Sequence, residues 1–308
     1  RGGCHRFIYL WRKFRYFFLL YKEHYKKFEN YLYRSMTINL KGELIDLSQP
    51  KIMGILNLTP DSFYDGGQFN SIDQALKQTE KMLREGAFII DLGACSTKPG
   101  AKEISEEEEQ QRLYPVLEKL LESFPEIYFS IDTCRASVAK GCLSRGAAMI
   151  NDISGGQFDP LMMETVGSFN APYVLMHIAG TPENMQKNPE YKNVVQEILH
   201  YFSERIQQAY QNGINDVIID PGFGFGKTME HNYELLKNLE LFHSLELPLL
   251  VGVSRKSMIY KKLGVSPDGA LNGTSALNSI ALLKGAHILR VHDVKEAKEC
   301  SVLLQALQ

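Results

Sequence analysis

The sequence predicts a single-domain α/β fold, a (β/α)₈ barrel, and three observations support this prediction. Short apolar runs alternate with longer amphipathic runs along the chain. Most of the short runs are continuously hydrophobic, as expected of parallel strands covered on both faces. Eight strand–helix units within about 250 residues match the number and size of units in such a barrel. A doubly wound open sheet is the alternative, but the NLTPDSF segment after the first strand is not its glycine-rich turn.

The individual elements follow from the spacing of apolar residues. The eight predicted strands cover residues 51–56, 88–92, 127–131, 147–150, 172–176, 216–219, 248–253 and 288–291. Residues 72–83 repeat apolar side chains at helical spacing, and Gly86 follows as a stop signal. Ser105 and Glu108 form a capping-box pattern at the start of a second helix. Residues 194–209 have the same helical spacing and end before an Asn-Gly pair.

Composition separates residues 1–35 from the rest of the chain. This segment holds nine Lys or Arg against two Glu, and 12 of the 32 aromatic residues, whereas residues 36–308 have a net charge of −9. Its longest uncharged run is six residues, and roughly 18 apolar residues are needed to span a membrane. We expect residues 1–35 to be a non-native or disordered leader before a catalytic barrel domain over residues 36–308, with Met36 as the natural start. Docking of this leader on anionic lipid or RNA is the alternative.

Cysteine usage and charge exclude several classes of protein. The five cysteines are an odd number without a CxxC pair, which argues against a disulfide framework or structural zinc site and favours the reducing cytoplasm. The histidines show no HxH or HExxH spacing, which argues against a zinc hydrolase. The formal charge of −2 gives no reason to expect a nucleic-acid partner, and we expect no membrane partner.

Polar residues follow the predicted strands at the points where they end. The residues at these positions are Asn57, Asp91, Asp132, Asn151, Asp152, His177, Asp220, Ser254, Arg255, Lys256, Arg290 and His292. One polar residue at a strand end is usually a cap or a loop contact. Because the C-terminal strand ends of a barrel converge on one rim, where active sites of this fold lie, eight ends in register predict an enzyme.

Cationic residues collect after the last two strands. Arg255 and Lys256 follow the seventh predicted strand, and Arg290 and His292 follow the eighth. Phosphate sites of this fold usually lie at these loops, so we expect an anionic substrate group there. For Arg255, a simple ion pair with a carboxylate is an equally good interpretation.

Acidic and amide residues lie on other parts of the predicted rim. Asp132 and Asp220, with Asn151 between them in sequence, could hold a ligand rich in N–H donors, such as the guanidine-like edge of a heterocycle. The segment PGFGFGKT (221–228) lacks the glycine that a phosphate-binding loop needs at Pro221. Its glycines are better explained by a loop that approaches a flat ligand, with Phe223 or Phe225 stacking on that ligand.

Taken together, eight motifs resemble the dihydropteroate synthases, a pterin-binding family of folate biosynthesis. The motifs occur in unbroken order from residue 51 to the C-terminus. They are MGILNLTPDSFYDGG (53–67), DLGACSTKPGA (91–101), SIDT (130–133), INDISGG (150–156), LMH (175–177), DPGFGFGKT (220–228), SRKS (254–257) and RVHDV (290–294). Each motif alone is moderately specific, whereas all eight in sequence are very specific.

The resemblance implies an activity and several partners. It implies a transferase that joins 6-hydroxymethyl-7,8-dihydropterin diphosphate to 4-aminobenzoate and releases diphosphate and 7,8-dihydropteroate. Mg²⁺ would be the cofactor, and sulfonamides would compete with the aminobenzoate. A homodimer would form through the last helices, around residues 274–284 and 294–304.

The resemblance also implies roles for individual residues. Those matching the pterin diphosphate site are Thr97, Asp132, Asn151, Asp220, Lys256, Arg290, Val291 and His292. Those matching the aminobenzoate pocket are Phe63, Thr97, Lys98, Pro99, Phe225 and Ser257. Asn57 matches the Mg²⁺ contact. The residues expected to take part in catalysis are Asp132, Lys256, Arg290 and His292.

Two positions depart from the family pattern, and two other functions remain open. Cys95 stands where the family usually has Glu, and Lys98 stands where it usually has Arg. A lysine keeps the positive charge but cannot bind a phosphate group through two parallel hydrogen bonds as an arginine does. A methyltetrahydrofolate-dependent corrinoid methyltransferase would share the pterin-binding residues but would not need a diphosphate site. A pterin-binding or lipid-docking module, with residues 1–35 as its working part, is the other alternative.

Overall fold

The computed structural model describes residues 36–58, 68–94, 104–182, 184–185 and 189–307. Its strands are β1 (Thr37–Leu40), β2 (Glu43–Asp46), β3 (Lys51–Asn57), β4 (Ile89–Gly93), β5 (Tyr128–Asp132), β6 (Met149–Asp152), β7 (Tyr173–Met176), β8 (Val217–Asp220), β9 (Leu250–Val251) and β10 (Ile288–Val291). Its α-helices are α1 (Gln68–Arg84), α2 (Glu106–Ser123), α3 (Ala136–Ser144), α4 (Met162–Ser168), α5 (Val194–Gln211), α6 (Met229–Lys237), α7 (Ser257–Leu263), α8 (Leu271–Leu283) and α9 (Val294–Gln305). Two 3₁₀ segments, Leu239–Leu245 and Pro267–Ala270, complete the described elements.

Strands β3 to β10 form the predicted barrel. They are all parallel and lie in the order β8-β7-β6-β5-β4-β3-β10-β9. A parallel bridge between Ile219 and Leu249 joins the two outer strands and closes the ring. Helices alternate with the strands and bury apolar faces against them, so the (β/α)₈ prediction is confirmed.

The strand register places the chemically important ends side by side. Asn57 is paired with Gly93, Gly93 with Asp132, and Asp132 with Asn151. Because these pairs run across three neighbouring strand interfaces, the side chains at these ends share one edge of the barrel. The predicted convergence of polar strand ends on one rim is therefore confirmed.

A β-hairpin that the sequence analysis did not predict closes the opposite end of the barrel. Strands β1 and β2 pair antiparallel, and the side chains of Ile38, Leu40 and Ile45 are buried against the first inward-facing residues of the barrel strands, Met149 among them. The backbone N–H of Asn39 also donates to the Asp216 carboxylate at 3.1 Å. This hairpin closes the N-terminal end, so the C-terminal rim is the end available to a ligand.

Two local predictions differ in detail from the structure. The Ser105 hydroxyl caps α2 by accepting from the backbone N–H of Glu108 at 3.2 Å, but the Glu108 carboxylate pairs with Arg112. Only the Ser105 half of the predicted capping box is therefore seen. Strand β9 is shorter than the predicted strand 248–253, because the Val253 carbonyl accepts from the N–H of Lys256 and starts a turn there.

The charged N-terminal segment, residues 1–35, lies outside the described residues. Within the described part of the chain, no helix combines the length and the hydropathy needed to cross a bilayer.

Candidate active site

The C-terminal rim brings together most of the predicted site residues that the structure describes. Asn57, Asp132, Asn151, Asp220, Lys256, Arg290 and His292 all lie at or just after strand ends on this rim. Phe63, Cys95, Thr97, Lys98 and Pro99 lie outside the described residues. The described part of the site consists of the ends of strands β3 to β10 and the loops after them.

Arg290 is the centre of a buried network of charged side chains. Its Nε donates to Asp91 Oδ2 at 2.7 Å, and its Nη2 donates to Asp132 Oδ2 at 2.7 Å. Asn151 Nδ2 donates to the same oxygen of Asp91 at 2.9 Å. Burial opposes the charge of Arg290, but the two carboxylates outweigh it and hold the pKa of the guanidinium above its ordinary value.

Asp91 belongs to this network although it was not among the predicted site residues. Its place at a strand end is visible in the sequence, but nothing in the sequence assigns it a role. The contact with Arg290 joins positions 199 residues apart, so no local spacing could indicate it. The signal in the sequence is an acidic residue within an otherwise apolar strand. The structure shows that Asp91 is fully buried, and acidic residues are almost never buried without a partner.

Asp132 changes protonation near neutral pH in this environment. Burial raises its pKa to about 7, although the Arg290 guanidinium lowers it, and the carboxylate of Asp91 contributes in the same direction as burial. An Asp with such a pKa in a cleft is a candidate for a functional group. Small changes in the charge around Asp132 will therefore change its ionisation at working pH.

Asp220 and Lys256 form the second charged part of the rim. Asp220 Oδ1 accepts from the backbone N–H of Gly222 at 2.8 Å, which fixes the carboxylate at the end of β8. Burial raises the pKa of Asp220 although Lys256 lowers it. Burial also lowers the pKa of Lys256 to about 8, against the opposing effect of Asp220. The pKa of each group is thus shifted toward its uncharged form, so a ligand that changes their surroundings would change their charge.

The glycine-rich loop after β8 is folded around a buried lysine. Lys227 Nζ donates to the carbonyl oxygens of Gly222 and Phe225, both at 2.9 Å, and lies 3.0 Å from His177 Nδ1. Gly222 has φ +73°, and a Cβ there would lie 1.9 Å from the His177 carbonyl oxygen, so glycine is required. Lys227 binds main-chain oxygens and does not reach the rim as a phosphate-binding lysine would, in line with the rejection of a phosphate-binding loop.

The structure distinguishes the two phenylalanines of this loop. Phe223 is fully buried in the main core, where it cannot reach a ligand. Phe225 lies at the edge of a small cluster beside the rim, with the Lys256 ammonium 4.6 Å from its ring centroid. Lys256 also donates to the Phe223 carbonyl oxygen. Only Phe225 is therefore placed to stack on a flat ligand.

His292 lies beside Ser254 on the rim. Its Nδ1 lies 3.0 Å from Ser254 Oγ, which also accepts from the His292 backbone N–H at 3.2 Å. Burial, with the charge of Arg290 adding to it, lowers the pKa of His292 to about 4. His292 can therefore offer an anion a hydrogen-bond donor, and Arg290 and Lys256 bring positive charge to the rim.

The remaining predicted residues occupy less direct positions. Arg255 pairs with Asp293 at 2.6 Å and with Asp268 at 3.3 Å, so the ion-pair interpretation of Arg255 is correct. The Val291 side chain is fully buried in the core, which leaves only its backbone for a ligand. Ser257 begins α7 and is partly buried, directly after Lys256.

The described residues offer a metal ion little on their own. They contain no group of three or more His, Cys, Asp or Glu side chains that could hold a metal. The Asn57 Oδ1 oxygen lies beside Gly93 on the rim, where it would be 3.8 Å from a Cβ at that glycine. A single hard oxygen suits Mg²⁺ held mainly by substrate phosphate oxygens and water, and does not suit an all-protein cage.

Fold and site together define a class of protein, a (β/α)₈ barrel with buried carboxylates and cationic side chains on its C-terminal rim. The family model "Pterin binding enzyme" matches residues 53–292. The chain belongs to this family.

Similar proteins of known sequence or structure show which kind of pterin-binding enzyme the chain is. The dihydropteroate synthase of Escherichia coli K12 is 46% identical over 273 residues, covering 88% of this chain and 96% of its own. The Yersinia pestis dihydropteroate synthase, solved with a sulfonamide drug, is 45% identical with a TM-score of 0.83, over 88% of this chain and 99% of its own. The Xanthomonas albilineans enzyme, solved with 4-aminobenzoic acid, is 36% identical with a TM-score of 0.83, over 89% and 99%. The chain is thus a dihydropteroate synthase, a transferase of folate biosynthesis.

Proposed function

We propose that this chain condenses 6-hydroxymethyl-7,8-dihydropterin diphosphate with 4-aminobenzoate to give 7,8-dihydropteroate and diphosphate. The observation that carries the proposal is the placement of two kinds of group on one rim. Asp132, Asn151 and Asp220 supply acceptors for a donor-rich heterocycle, and Lys256 and Arg290 supply positive charge. The dihydropteroate synthases at up to 46% identity support the same reaction.

The pterin would be held by buried acceptors. Asp220 uses one oxygen for the Gly222 N–H, which leaves the other to accept from the pterin N–H groups. The Asn151 amide nitrogen donates to Asp91, and this bond orients the side-chain carbonyl oxygen of Asn151 as a further acceptor. Lys256, with Phe225 against it, would donate to the pterin carbonyl. A buried site of this kind rejects ligands that cannot match its donors and acceptors.

The reaction itself needs charge stabilisation at two places. When the bond between the pterin methylene and the diphosphate oxygen breaks, the electron pair leaves with diphosphate and positive charge develops on the pterin. Arg290, with His292 as a hydrogen-bond donor, would stabilise the departing diphosphate, and ionised Asp132 would stabilise the pterin cation. The aminobenzoate amine then forms the new C–N bond and loses its proton. No protein nucleophile takes part.

A Mg²⁺ ion fits the proposed site, with Asn57 as its protein ligand. The single oxygen donor of Asn57 suits an ion that takes most of its ligands from diphosphate and water. When bound, Mg²⁺ would neutralise charge on the leaving diphosphate.

The second substrate would lie beside the pterin methylene. Among the described residues, Phe225 provides a ring face and Ser257 a hydroxyl group next to Lys256. Phe63, Thr97, Lys98 and Pro99 are the other residues that we assign to this pocket, by their match to the family motifs. Sulfonamides would occupy the same pocket.

We also infer a homodimer that forms through α8 and α9. These helices carry large apolar side chains with high exposure, namely Ile280 at 38%, Leu283 at 59%, Val302 at 51% and Leu303 at 71%. Neighbouring exposed apolar side chains of this size are typical of protein–protein contacts. Size determination of the protein in solution tests this inference, and a monomer at working concentration would contradict it.

The cytoplasm is the compartment that we propose for this reaction. The described cysteines, Cys134, Cys142 and Cys300, are free thiols. Free thiols persist in a reducing environment, which supports this assignment.

An assay of diphosphate release tests the proposed function. With Mg²⁺ present, release should require both pterin diphosphate and 4-aminobenzoate, and omission of either substrate should abolish it. Excess EDTA should also abolish release if Mg²⁺ acts as proposed. A methyltransferase would instead consume methyltetrahydrofolate and release no diphosphate. Folded protein that gives no release with all three components would contradict the proposal.

A further inference from the structure

Asp91 is a buried acid that acts on the site without lying on its surface. Its side chain is fully buried in β4, and one oxygen, Oδ2, accepts both from Arg290 Nε at 2.7 Å and from Asn151 Nδ2 at 2.9 Å. Its other oxygen, Oδ1, is buried without a partner among the described residues. Burial of an unpaired carboxylate costs free energy. The hydrogen bonds from Arg290 and Asn151 offset this cost for Asp91.

The contact with Arg290 controls the orientation of the guanidinium. Nε and Nη2 form the edge of the guanidinium that commonly binds a single carboxylate through two parallel hydrogen bonds. Here that edge is divided, because Nε bonds Asp91 and Nη2 bonds Asp132. Asp91 on β4 and Asp132 on β5 therefore fix the plane of the Arg290 guanidinium together. A change in either carboxylate would let the guanidinium turn toward the other.

We propose that Asp91 is a positioning residue for the condensation, which holds Arg290 and Asn151 in the orientation that receives the pterin diphosphate. The inference rests on the proposed function, because it concerns residues that we assign to that reaction. Asp91 is not a substrate contact, since its side chain is not exposed.

Another buried acid of the barrel shows what a structural role looks like. Asp152 accepts from the backbone N–H groups of Ser154 and Gly156 and from the Tyr173 hydroxyl, at 2.6 to 2.8 Å. These bonds shape the loop after β6 and involve no residue assigned to the substrates. Both contacts of Asp91, in contrast, are to side chains assigned to the pterin.

The charge of Asp91 has a second effect, on the ionisation of Asp132. Burial raises the pKa of Asp132, Arg290 lowers it, and the negative charge of Asp91 raises it further. The charged and titratable groups that act on Asp132 from the surrounding elements are Arg290, Asp91, Glu109, Asp152, Lys256 and Cys134. Removal of one negative charge from this set should lower the pKa of Asp132, and a variant that displaces the Asp91 carboxylate but keeps its charge is the comparison that separates this effect from loosening of the fold.

Two substitutions separate the position of the carboxylate from its charge. Asp91→Asn keeps the shape and removes the charge, and Asp91→Glu keeps the charge and displaces the carboxylate. Asp268→Asn is the matched control, since Asp268 also pairs with an arginine, Arg255, but its side chain is 95% exposed and contacts none of the assigned residues.

The experiment combines calorimetry with an NMR titration. Pterin diphosphate without aminobenzoate is titrated into each full-length protein, and the Asp132 carboxyl is followed by ¹³C NMR, assigned with Asp132→Asn. We expect both Asp91 variants to bind pterin diphosphate about tenfold to hundredfold more weakly, the range for a lost hydrogen bond to a charged group. We expect a lowered Asp132 pKa in Asp91→Asn, an Asp132 pKa that stays raised in Asp91→Glu, and wild-type behaviour in Asp268→Asn.

The outcomes distinguish this inference from the proposed function. Folded Asp91→Asn with wild-type pterin affinity and an unchanged Asp132 pKa would overturn the role of Asp91. If Asp91→Asn does not fold, unchanged pterin affinity in Asp91→Glu would overturn it instead. Wild-type protein that makes no product would overturn the proposed function, while the Asp132 titration would still test the influence of Asp91.

Discussion

Replacement of Asp220 by Asn gives a sharp test of the pterin site, because the structure separates the two oxygens of this carboxylate. Oδ1 accepts from the Gly222 N–H at 2.8 Å and fixes the loop after β8. The amide oxygen of an Asn can keep this bond, so the fold should survive. The amide nitrogen would then stand where the second carboxylate oxygen accepts from the pterin. An N–H would face an N–H in a buried site.

The magnitude follows from the chemistry of that contact. Asp220 is only 5% exposed, so solvent cannot replace the lost acceptor. Loss of a charged hydrogen bond that leaves a buried donor unpaired costs about 2–4 kcal/mol. This range corresponds to pterin affinity about 30-fold to 1,000-fold weaker.

The same strand provides a matched control. Asp216 lies at the start of β8, at the opposite end of the barrel, and accepts from the Asn39 N–H at 3.1 Å. Asp216→Asn changes the same chemical group next to the same strand but should leave pterin affinity unchanged. Calorimetry with pterin diphosphate, with thermal melts as a check on folding, compares Asp220→Asn with Asp216→Asn. Equal affinities for the two variants would refute the assignment of Asp220 to the pterin.

Two further predictions concern pH and the loop after β8. The pKa of Asp132 is raised to about 7, so kcat/KM for pterin diphosphate should rise through about pH 7 as Asp132 ionises. The pKa of Lys256 is lowered to about 8, so kcat/KM should fall through about pH 8 as Lys256 loses its proton. A pH–rate profile without either limb would contradict these roles. Lys227→Met removes the donor from four acceptors and should lower the free energy of unfolding by about 3–6 kcal/mol. Lys237→Met on the outer end of α6 should change it little. Urea unfolding measures both, and equal stabilities would contradict the role given to Lys227.

Most of the barrel could be predicted from the sequence, because parallel strands that are covered on both faces have continuous runs of apolar residues. The hairpin of β1 and β2 could not, since each strand has only four residues, too few to establish a periodic pattern. Its burial depends on the shape of the barrel floor formed by distant strands. Such a tertiary contact leaves no periodic signal in a short segment.

The rim residues could be predicted individually, but not their contacts with one another. Strand ends and motifs identified Asp132, Asn151 and Arg290, yet Asp91 joins two of them through bonds across the barrel. The charge state of His292 was also beyond the sequence, because burial and the neighbouring arginine set its pKa. Sequence thus identified the chemical groups, and the closed ring of strands determined which of them meet.

Incorporation of labelled 4-aminobenzoate into a pterin product is the decisive test of the proposed condensation. The full-length protein is incubated with Mg²⁺, 6-hydroxymethyl-7,8-dihydropterin diphosphate and ¹³C-labelled 4-aminobenzoate, and the products are identified by mass spectrometry. We expect labelled 7,8-dihydropteroate in amounts equal to the diphosphate released, with none formed when a sulfonamide is in large excess. Diphosphate release without label in a pterin product, or no product from folded protein, would contradict it.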